Sequence, residues 1–422
     1  MRAYLRPGGD TGMKLLVLTQ YFWPEDFRIN DVVRSCVEKG LAVQVLTAKP
    51  NYPGGKVFDG YRAAGCSREE WGGAKVSRVP IVPRGKSGGI RLAANYLSFI
   101  LSGLVFGPWL LRRQDTDVIF VYAPSPLLQA IPALLLGRLK KCPVVLWVQD
   151  LWPESLEATG HVRNPVILRF VEGWIRFIYR HTDLILVQSR AFQAPVRALA
   201  PGKKIVYYPN SVEEVFLRSA DGACPDLPVL NSGFTVLFAG NVGTAQAMEV
   251  IVGAAELLRG YPDIHFVVVG QGSRWEWLKQ QAGSLGLANI HLPGRFPVEA
   301  MPGMMSKASV LLVTLTDQPI FAMTVPAKIQ AYMAVGRPII ACLNGEGARL
   351  VGEADAGIAV AAEDSKGLAE AVLRFYEMPP EQRNRLGENG RRYFQDHFDH
   401  DKLMDELIRY LECAISEHKA RQ

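Results

Sequence analysis

Residues 235–246 read Thr235-Val236-Leu237-Phe238-Ala239-Gly240-Asn241-Val242-Gly243-Thr244-Ala245-Gln246. A short run of apolar and β-branched residues passes straight into a loop of glycines and small polar residues. A helical pattern over 247–258 follows. An unbroken apolar run, rather than an alternating one, suits a strand covered on both faces of a parallel sheet. The loop that leaves it offers free amides and a helix dipole to a phosphate. A loop that merely turns is the plainer alternative.

The same plan extends in both directions. Downstream, 265–269, 290–292, 310–314, 339–342 and 358–360 read as strands, and a helix is expected at 326–334. Upstream, 14–19, 42–47, 76–79, 118–122, 144–148 and 184–188 repeat the pattern. The segments between strands are long enough for right-handed crossover helices, which implies an α/β chain of two Rossmann-like, doubly wound domains. The punctuation Tyr207-Tyr208-Pro209-Asn210-Ser211 suits a hinge. The expected division is a disordered extension at 1–12, domains at 13–208 and 209–390, and a charged helical segment at 391–422 packing back toward the N-terminal domain. Ligands of such sheets sit outside the carboxyl ends of the strands. With two such domains facing each other, both sets of loops are expected to line a central cleft.

At 422 residues, 49% of them hydrophobic and 21% charged, the chain has the make-up of a globular enzyme and not of a disordered one. The six cysteines form no C-x-x-C pair. They fit neither a zinc site nor a disulfide framework, and read as scattered thiols in a reducing compartment. The opening MRAYLRPGGDTG has no apolar stretch of the kind a secretory signal needs, so a cytoplasmic protein is expected. Charge is unevenly split: 28 Lys and Arg against 15 Asp and Glu in residues 1–205, and 19 against 26 in the remainder. A basic lobe suits an anionic membrane surface, a diphosphate-linked acceptor or a nucleic acid. Residues 92–111 approach transmembrane length. They fall between strands of one sheet, and so are expected to form a buried helix with, at most, one apolar face on a bilayer.

Several strand ends carry chemistry. Gly270-Gln271-Gly272 follows a strand, but Trp275 stands where a third glycine would complete a dinucleotide fingerprint, which argues against a dehydrogenase. Thr324-Val325-Pro326-Ala327-Lys328 opens a helix whose first amides, near Thr324 and Val325, suit an anion, with Lys328 adding a full charge. Gly294-Arg295-Phe296 follows another strand, and Arg295 offers a fork of donors to a diphosphate. In the first half, Trp147-Val148-Gln149-Asp150-Leu151-Trp152-Pro153-Glu154 runs a strand into two carboxylates. Asp150 is placed to orient or deprotonate a sugar hydroxyl. Glu154 fits helix capping as well as chemistry. The loops Tyr21-Phe22-Trp23-Pro24-Glu25-Asp26-Phe27-Arg28 and Lys49-Pro50-Asn51-Tyr52-Pro53 bring aromatics and hydrogen-bonding groups to strand ends, as carbohydrate sites do.

Taken in order, Q-Y-F-W-P-E-D-F-R, T-A-K-P-N-Y-P-G-G, W-V-Q-D-L-W-P-E-S-L, Y-P-N-S-V, A-G-N-V-G-T-A-Q, P-G-R-F-P and T-V-P-A-K-I-Q-A-Y-M-A-V-G-R-P resemble the retaining glycosyltransferases of family 4, with the GT-B fold. The likeness is greatest to the bacterial branch that builds O-antigen and capsule chains, including N-acetylfucosamine transferases. It implies a UDP-sugar donor held mainly by the C-terminal domain, through Gly240, Asn241, Gly243, Thr244, Gly270, Arg295, Phe296, Thr324, Val325 and Lys328. It implies an acceptor, here a polyprenyl-diphosphate-linked saccharide, held by the N-terminal domain through Pro24, Glu25, Arg28, Asn51, Tyr52, Trp152 and Glu154. It further implies metal-independent chemistry with no cofactor, peripheral contact with the inner face of an anionic membrane, and no nucleic-acid partner.

Two departures stand out. Many such enzymes hold the donor with two glutamates; aligned on Gly336-Arg337-Pro338, those positions are Met323 and Ala331. The arginine and lysine common in the Gly240 loop of other branches are Asn241 and Gln246. Phosphate neutralisation then falls on Arg295, Lys328 and helix N-termini, with Gln330 or Glu346 as replacements for a missing glutamate. The competing readings are a UDP-N-acetylglucosamine 2-epimerase, which shares the two-domain plan, and a non-catalytic sugar-nucleotide-binding partner.

Overall fold

The computed structural model describes residues 12–85, 89–158, 164–212, 214–217 and 225–422. The chain divides into two compact units: residues 1–208 together with 404–422, and residues 209–403. The expected extension at 1–12 lies, apart from Gly12, outside the described residues.

The first unit carries β1 (Lys14–Leu18), β2 (Ala42–Ala48), β3 (Ser67–Trp71), β4 (Ala74–Val79), β5 (Val118–Ala123), β6 (Val144–Val148), β7 (Leu184–Val187) and β8 (Ile205–Tyr207). Their order in the sheet is β3-β4-β2-β1-β5-β6-β7-β8. All neighbours are parallel except the β3–β4 hairpin. That hairpin turns at Gly72 and Gly73, both with positive φ, as a two-residue turn requires. The chain steps from β1 to β2 in one direction and later from β1's other neighbour, β5, to β8 in the opposite one. The switch point therefore lies between β1 and β5, where loops of a doubly wound sheet part to admit ligands.

The second unit carries β9 (Phe234–Ala239), β10 (Ile264–Val269), β11 (Ile290–Gly294), β12 (Val310–Thr314), β13 (Ile339–Cys342) and β14 (Gly357–Val360), in the order β11-β10-β9-β12-β13-β14. This is the Rossmann order, with its switch between β9 and β12. Alternate residues of these strands feed two cores. Leu237, Val267, Leu311 and Ile339 face one side, and Val236, Phe266, Val310 and Ile340 face the other. Apolar cover on both faces explains why the strands read as unbroken runs.

Three expectations need correction. The helix Gly89–Leu111 is not buried. Phe99, Ile100, Gly103, Gly107, Leu110 and Leu111 pack inward, but Leu97, Leu101, Val105 and Trp109 are more than half exposed. Strands β3 and β8 were not expected, since Ser-Arg-Glu-Glu-Trp has no apolar run and β8 is three residues long. The helical segment expected from residue 391 has its first residues inside the helix Pro380–His397, which belongs to the second unit. Only from Met404 does the following helix, His400–Arg421, belong to the first unit, where Lys39 pairs with Asp405 at 2.7 Å and Lys204 with Glu417 at 2.7 Å.

Candidate active site

In the second unit the functional residues gather on the loops that leave β9, β10 and β11 and on the helix Ala327–Val335. Gly240 (φ +136°) ends β9, and a Cβ there would lie 2.6 Å from Lys328 Cε. Gly270 (φ +145°) ends β10, and a Cβ there would lie 1.8 Å from the Gly240 carbonyl oxygen. These glycines are therefore required by close packing of loop on loop. Val242 N–H donates to the Gln271 carbonyl at 3.0 Å, and Gly270 N–H to Gly294 at 2.9 Å, so the three loops form one block. Asn241 and Thr244 are exposed on its rim, while Gly243 is buried.

Lys328 is the centre of this block. Its ammonium donates to Gln246 Oε1 and lies 3.9 Å from the centroid of the Phe238 ring. The residue as a whole keeps some exposed surface, but its charged end is enclosed, and burial lowers its pKa to about 7. No carboxylate pairs with it among the described residues. The helix behind it starts after Pro326; Ile329 N–H bonds the Pro326 carbonyl at 3.0 Å, and the Ala327 and Lys328 N–H groups have no carbonyl within the helix to bond. A poised cation at a helix start is a receptor for an anion. Gln246 stands at the position where other branches carry a lysine; here Lys328 brings its cation to that place from another element.

The remaining donor-side residues divide. Arg295 is exposed on the loop after β11 and has no acidic partner among the described residues. Phe296 is half-buried and packs on the core beneath. Val325 is buried, and the Thr324 hydroxyl donates to the Ile320 carbonyl at 2.9 Å. Glu346 opens the helix Glu346–Glu353 and is held by Arg349 through two contacts, at 2.9 and 3.1 Å. Just before it, Gly345 (φ +75°) presses on the Ala322 carbonyl, next to Met323. Gln330 is turned inward, 1% exposed, with Nε2 on the Asn210 carbonyl at 2.7 Å.

In the first unit, Asp150 lies just past β6. Burial raises its pKa to about 6, against the opposing pull of the Ser155 hydroxyl, which donates to Oδ1, and of the Leu151 amide. The indole N–H of Trp152 approaches it without a well-formed hydrogen bond. Next to it in the chain, Gln149 Nε2 and Glu154 Oε2 are buried polar atoms that no described residue satisfies, and Arg28 Nη1, whose charge acts on Tyr122, is another. Unsatisfied buried polar groups are uncommon, and the pair beside Asp150 marks a place where a polar ligand would complete the bonding.

Two expected acceptor ligands are used up internally. Glu25 is 2% exposed; its Oε1 accepts from the Asn51 and Tyr52 amides, both at 2.7 Å, and its Oε2 from Phe22 at 3.2 Å. Burial still pushes its pKa up to about 7. Asn51 is 1% exposed, its Oδ1 accepting from Arg84 N–H at 3.0 Å and Asn95 Nδ2 at 3.2 Å. Both fasten the loops after β1 and β2 and have nothing left for a sugar. Pro24 is half-buried beside them, and Tyr52 packs at a tilt against Tyr21 and Phe27, with ring centroids at 5.7 and 5.2 Å. Glu25→Ala leaves three buried N–H groups unpaired and is expected to destabilise the first unit by about 3 kcal/mol. A lower urea midpoint with unchanged UDP affinity is the predicted reading; an unchanged midpoint contradicts it.

The structure adds residues that the sequence reading lacks. Tyr96, on the Gly89–Leu111 helix, lies close to Tyr21, Ser125 and Asp150, and burial raises the pKa of its hydroxyl. Arg84 Nη1 lies 3.3 Å from the Tyr21 hydroxyl. A lone tyrosine in an apolar helix and a lone arginine in a loop carry no motif.

Comparison with known proteins accords with this geometry. Residues 27–211 match the family model described as glycosyl transferase 4-like domain, and residues 233–378 match that of glycosyl transferases group 1. The chain is 26% identical over 346 residues to the putative colanic acid biosynthesis glycosyl transferase WcaI of Escherichia coli K12, covering 77% of this chain and 82% of that one. It superposes on Anabaena HepE in complex with UDP with a TM-score of 0.66 at 14% identity, covering 95% and 100% of the two chains. It superposes on an E. coli structure described as trehalose-6-phosphate bound with UDP-2-fluoro glucose with a TM-score of 0.72 at 12% identity, covering 94% and 98%. The chain is a glycosyltransferase of the GT-B fold, built from a glycosyl transferase 4-like domain followed by a group 1 domain.

Proposed function

We propose that this glycosyltransferase moves a sugar, with retention of configuration, from a UDP-sugar to a polyprenyl-diphosphate-linked saccharide during cell-surface polysaccharide synthesis. The sugar is read as an N-acetylated amino or deoxyamino sugar. The work is done at the inner face of the cytoplasmic membrane. The observation that carries the donor half is the Lys328 ammonium, enclosed at the start of a helix with no carboxylate partner among the described residues. HepE with UDP and the E. coli structure with UDP-2-fluoro glucose support a uridine diphosphate there, and WcaI, named for colanic acid, supports a polysaccharide product.

The chemistry follows from charge. As the bond from C1 to the diphosphate oxygen breaks, negative charge grows on the leaving group. Lys328, the helix amides and Arg295 are fixed donors that bind that charge more strongly in the transition state than in the ground state. The acceptor hydroxyl forms the new bond to C1 on the same face and gives its proton to the leaving diphosphate. Asp150 orients that hydroxyl. Glu346, beside the Met323 position, stands in for the absent acid. With its cations supplied by side chains, the reaction needs no metal, and dialysis against a chelator is expected to leave turnover unchanged. Arg295 is exposed, so its loss is less severe than that of a buried donor. Arg295→Ala is expected to raise donor KM and to lower kcat/KM by roughly tenfold to a hundredfold. Unaltered donor kinetics would remove Arg295 from the site.

The deciding assay is incubation with a panel of UDP-sugars and a polyprenyl-diphosphate saccharide, read by mass. An acceptor heavier by one sugar, with UDP released, is the expected product. Conversion of the donor without an acceptor would support the epimerase reading instead, and binding without turnover the non-catalytic one.

A further inference from the structure

The Gly89–Leu111 helix sets Leu97, Leu101, Val105 and Trp109 four residues apart, in line on one face, each between 54% and 64% exposed. The helix Pro165–His181 has a similar row, Val166, Phe170, Trp174 and Phe177, spaced three and four apart, with Val166 and Phe170 71% and 67% exposed and Trp174 and Phe177 39% and 38%. Its rings form a ladder: Phe170 to Trp174 at 6.4 Å and Trp174 to Phe177 at 5.7 Å. The opposite face of this helix is already buried through Val171, Ile175, Ile178 and Tyr179. A helix on a water-facing surface needs one apolar face; this one has two.

Both outer faces look to the same side of the first unit. The crossovers β4 to β5, β5 to β6 and β6 to β7 step in one direction along the sheet, so right-handed connections put their helices in one layer. The helix Ile131–Lys140 touches both of the others. Exposed apolar rows on helices of one layer mark an interaction surface.

The charge around the patch names its partner. The three helices carry one acid, Glu172, and it is paired with Arg176 at 2.5 Å. Arg112, Arg113, Arg138, Arg169 and Arg180 are exposed at the edges. Arg112 and Arg68 lie over the Trp109 ring at 5.2 and 5.9 Å, a guanidinium–indole arrangement suited to the boundary of headgroups and acyl chains. A second copy of this chain would bring the same cations face to face, which like charge opposes. A span is ruled out by packing: a Cβ on Gly103 would meet Pro132 at 2.8 Å and one on Gly107 would meet Leu46 at 3.2 Å, so the helix lies against its own domain.

We propose that the outer faces of the Gly89–Leu111 and Pro165–His181 helices form one surface that inserts its aliphatic and aromatic side chains into the interface of an anionic bilayer, with the bordering arginines on lipid phosphates. The Gly89–Leu111 helix then has two duties. It faces lipid outward, and inward it holds the acceptor loops through Asn95, whose amide bonds Gln20 at 2.8 Å and Asn51 at 3.2 Å. The inference deepens the lipid-linked acceptor reading and is tested apart from it.

The experiment is co-sedimentation of the full chain with vesicles of phosphatidylglycerol and phosphatidylethanolamine, and with vesicles of phosphatidylcholine alone. Binding to the anionic vesicles is expected to fall by about tenfold or more in the double variant Phe170→Ser with Trp174→Ser, and again in Leu97→Ser with Leu101→Ser. It is also expected to weaken with salt. Turnover on a short-chain, water-soluble prenyl-diphosphate acceptor should be unchanged in both variants, which also shows that they fold. Wild-type protein that ignores anionic vesicles, or variants that bind as well as wild type, would overturn the proposal. So would a wild-type dimer that both variants convert to monomer, since a second copy would then cover the patch. Vesicle binding that behaves as expected, with no turnover on any acceptor, would sink the acceptor reading and leave the surface standing.

Discussion

Replacing Lys328 with methionine is expected to lower turnover roughly a hundredfold or more, the scale seen when one fixed donor to a developing oxyanion is removed. The same change is expected to make the nucleotide-free protein more stable. The enclosed ammonium has Phe238 and Gln246 around it and no counter-charge among the described residues, so the fold holds a desolvated lysine. Methionine has similar length and no charge. Removing such a group stabilises by about 1 kcal/mol, or roughly 2–4 °C for a domain of this size. A variant that is both more stable and nearly inactive separates a functional cation from a structural one. A variant that is less stable and fully active would show that Lys328 only holds its loops together.

The lowered pKa gives this prediction a pH signature. In the free protein Lys328 is charged below about pH 7 and neutral above it. A bound diphosphate favours the charged form and raises the pKa back toward the ordinary lysine value. Between the two values, binding must take up a proton, so UDP affinity falls as pH rises above about 7, by up to tenfold per unit. Below that the affinity levels off with respect to this group.

The second large effect is expected for Asp150→Asn, which replaces a charged acceptor of the sugar hydroxyl with a neutral one and should lower turnover by about tenfold to a hundredfold while leaving UDP affinity unchanged. Asp150 belongs to the first unit and Lys328 to the second. Burial holds the carboxyl near pKa 6, well above the usual carboxylate range. Below that pH it is protonated, and a neutral carboxyl holds a sugar hydroxyl more weakly than a carboxylate does. Wild-type turnover should therefore fall on the acid side of about 6, and the asparagine variant should lack that limb. Loss of UDP affinity in the variant, or an acid limb that survives it, would count against this role.

How much of this was legible in the sequence depends on what each residue's neighbours contribute. The strands with unbroken apolar runs, such as β6 and β9, announced a sheet covered on both sides, and strand ends announced where loops would gather. Strand β3 was hidden because Glu69 and Glu70 belong at an exposed edge. It is held there by the Gly72-Gly73 turn and by the buried Arg78, whose Nε donates to Glu69 Oε1 at 2.7 Å. The Gly89–Leu111 helix was misjudged because apolarity does not say which apolar medium covers a side chain. Glu25 and Asn51 looked like sugar ligands for a related reason: a polar residue in a loop reads the same whether it faces water or clasps amides of its own chain. Lys328 and Gln246 are 82 positions apart, and only the fold brings them together.

The measurement closest to the central claim is calorimetric titration of UDP into the wild-type protein and Lys328→Met, at about pH 6 and about pH 9, in buffers of different ionisation heat. The expected result is tight binding by wild type at the lower pH, weaker binding with proton uptake at the higher, and weak, pH-independent binding by the variant. Equal affinity and equal proton exchange in the two proteins at both pH values would contradict a diphosphate seated on Lys328.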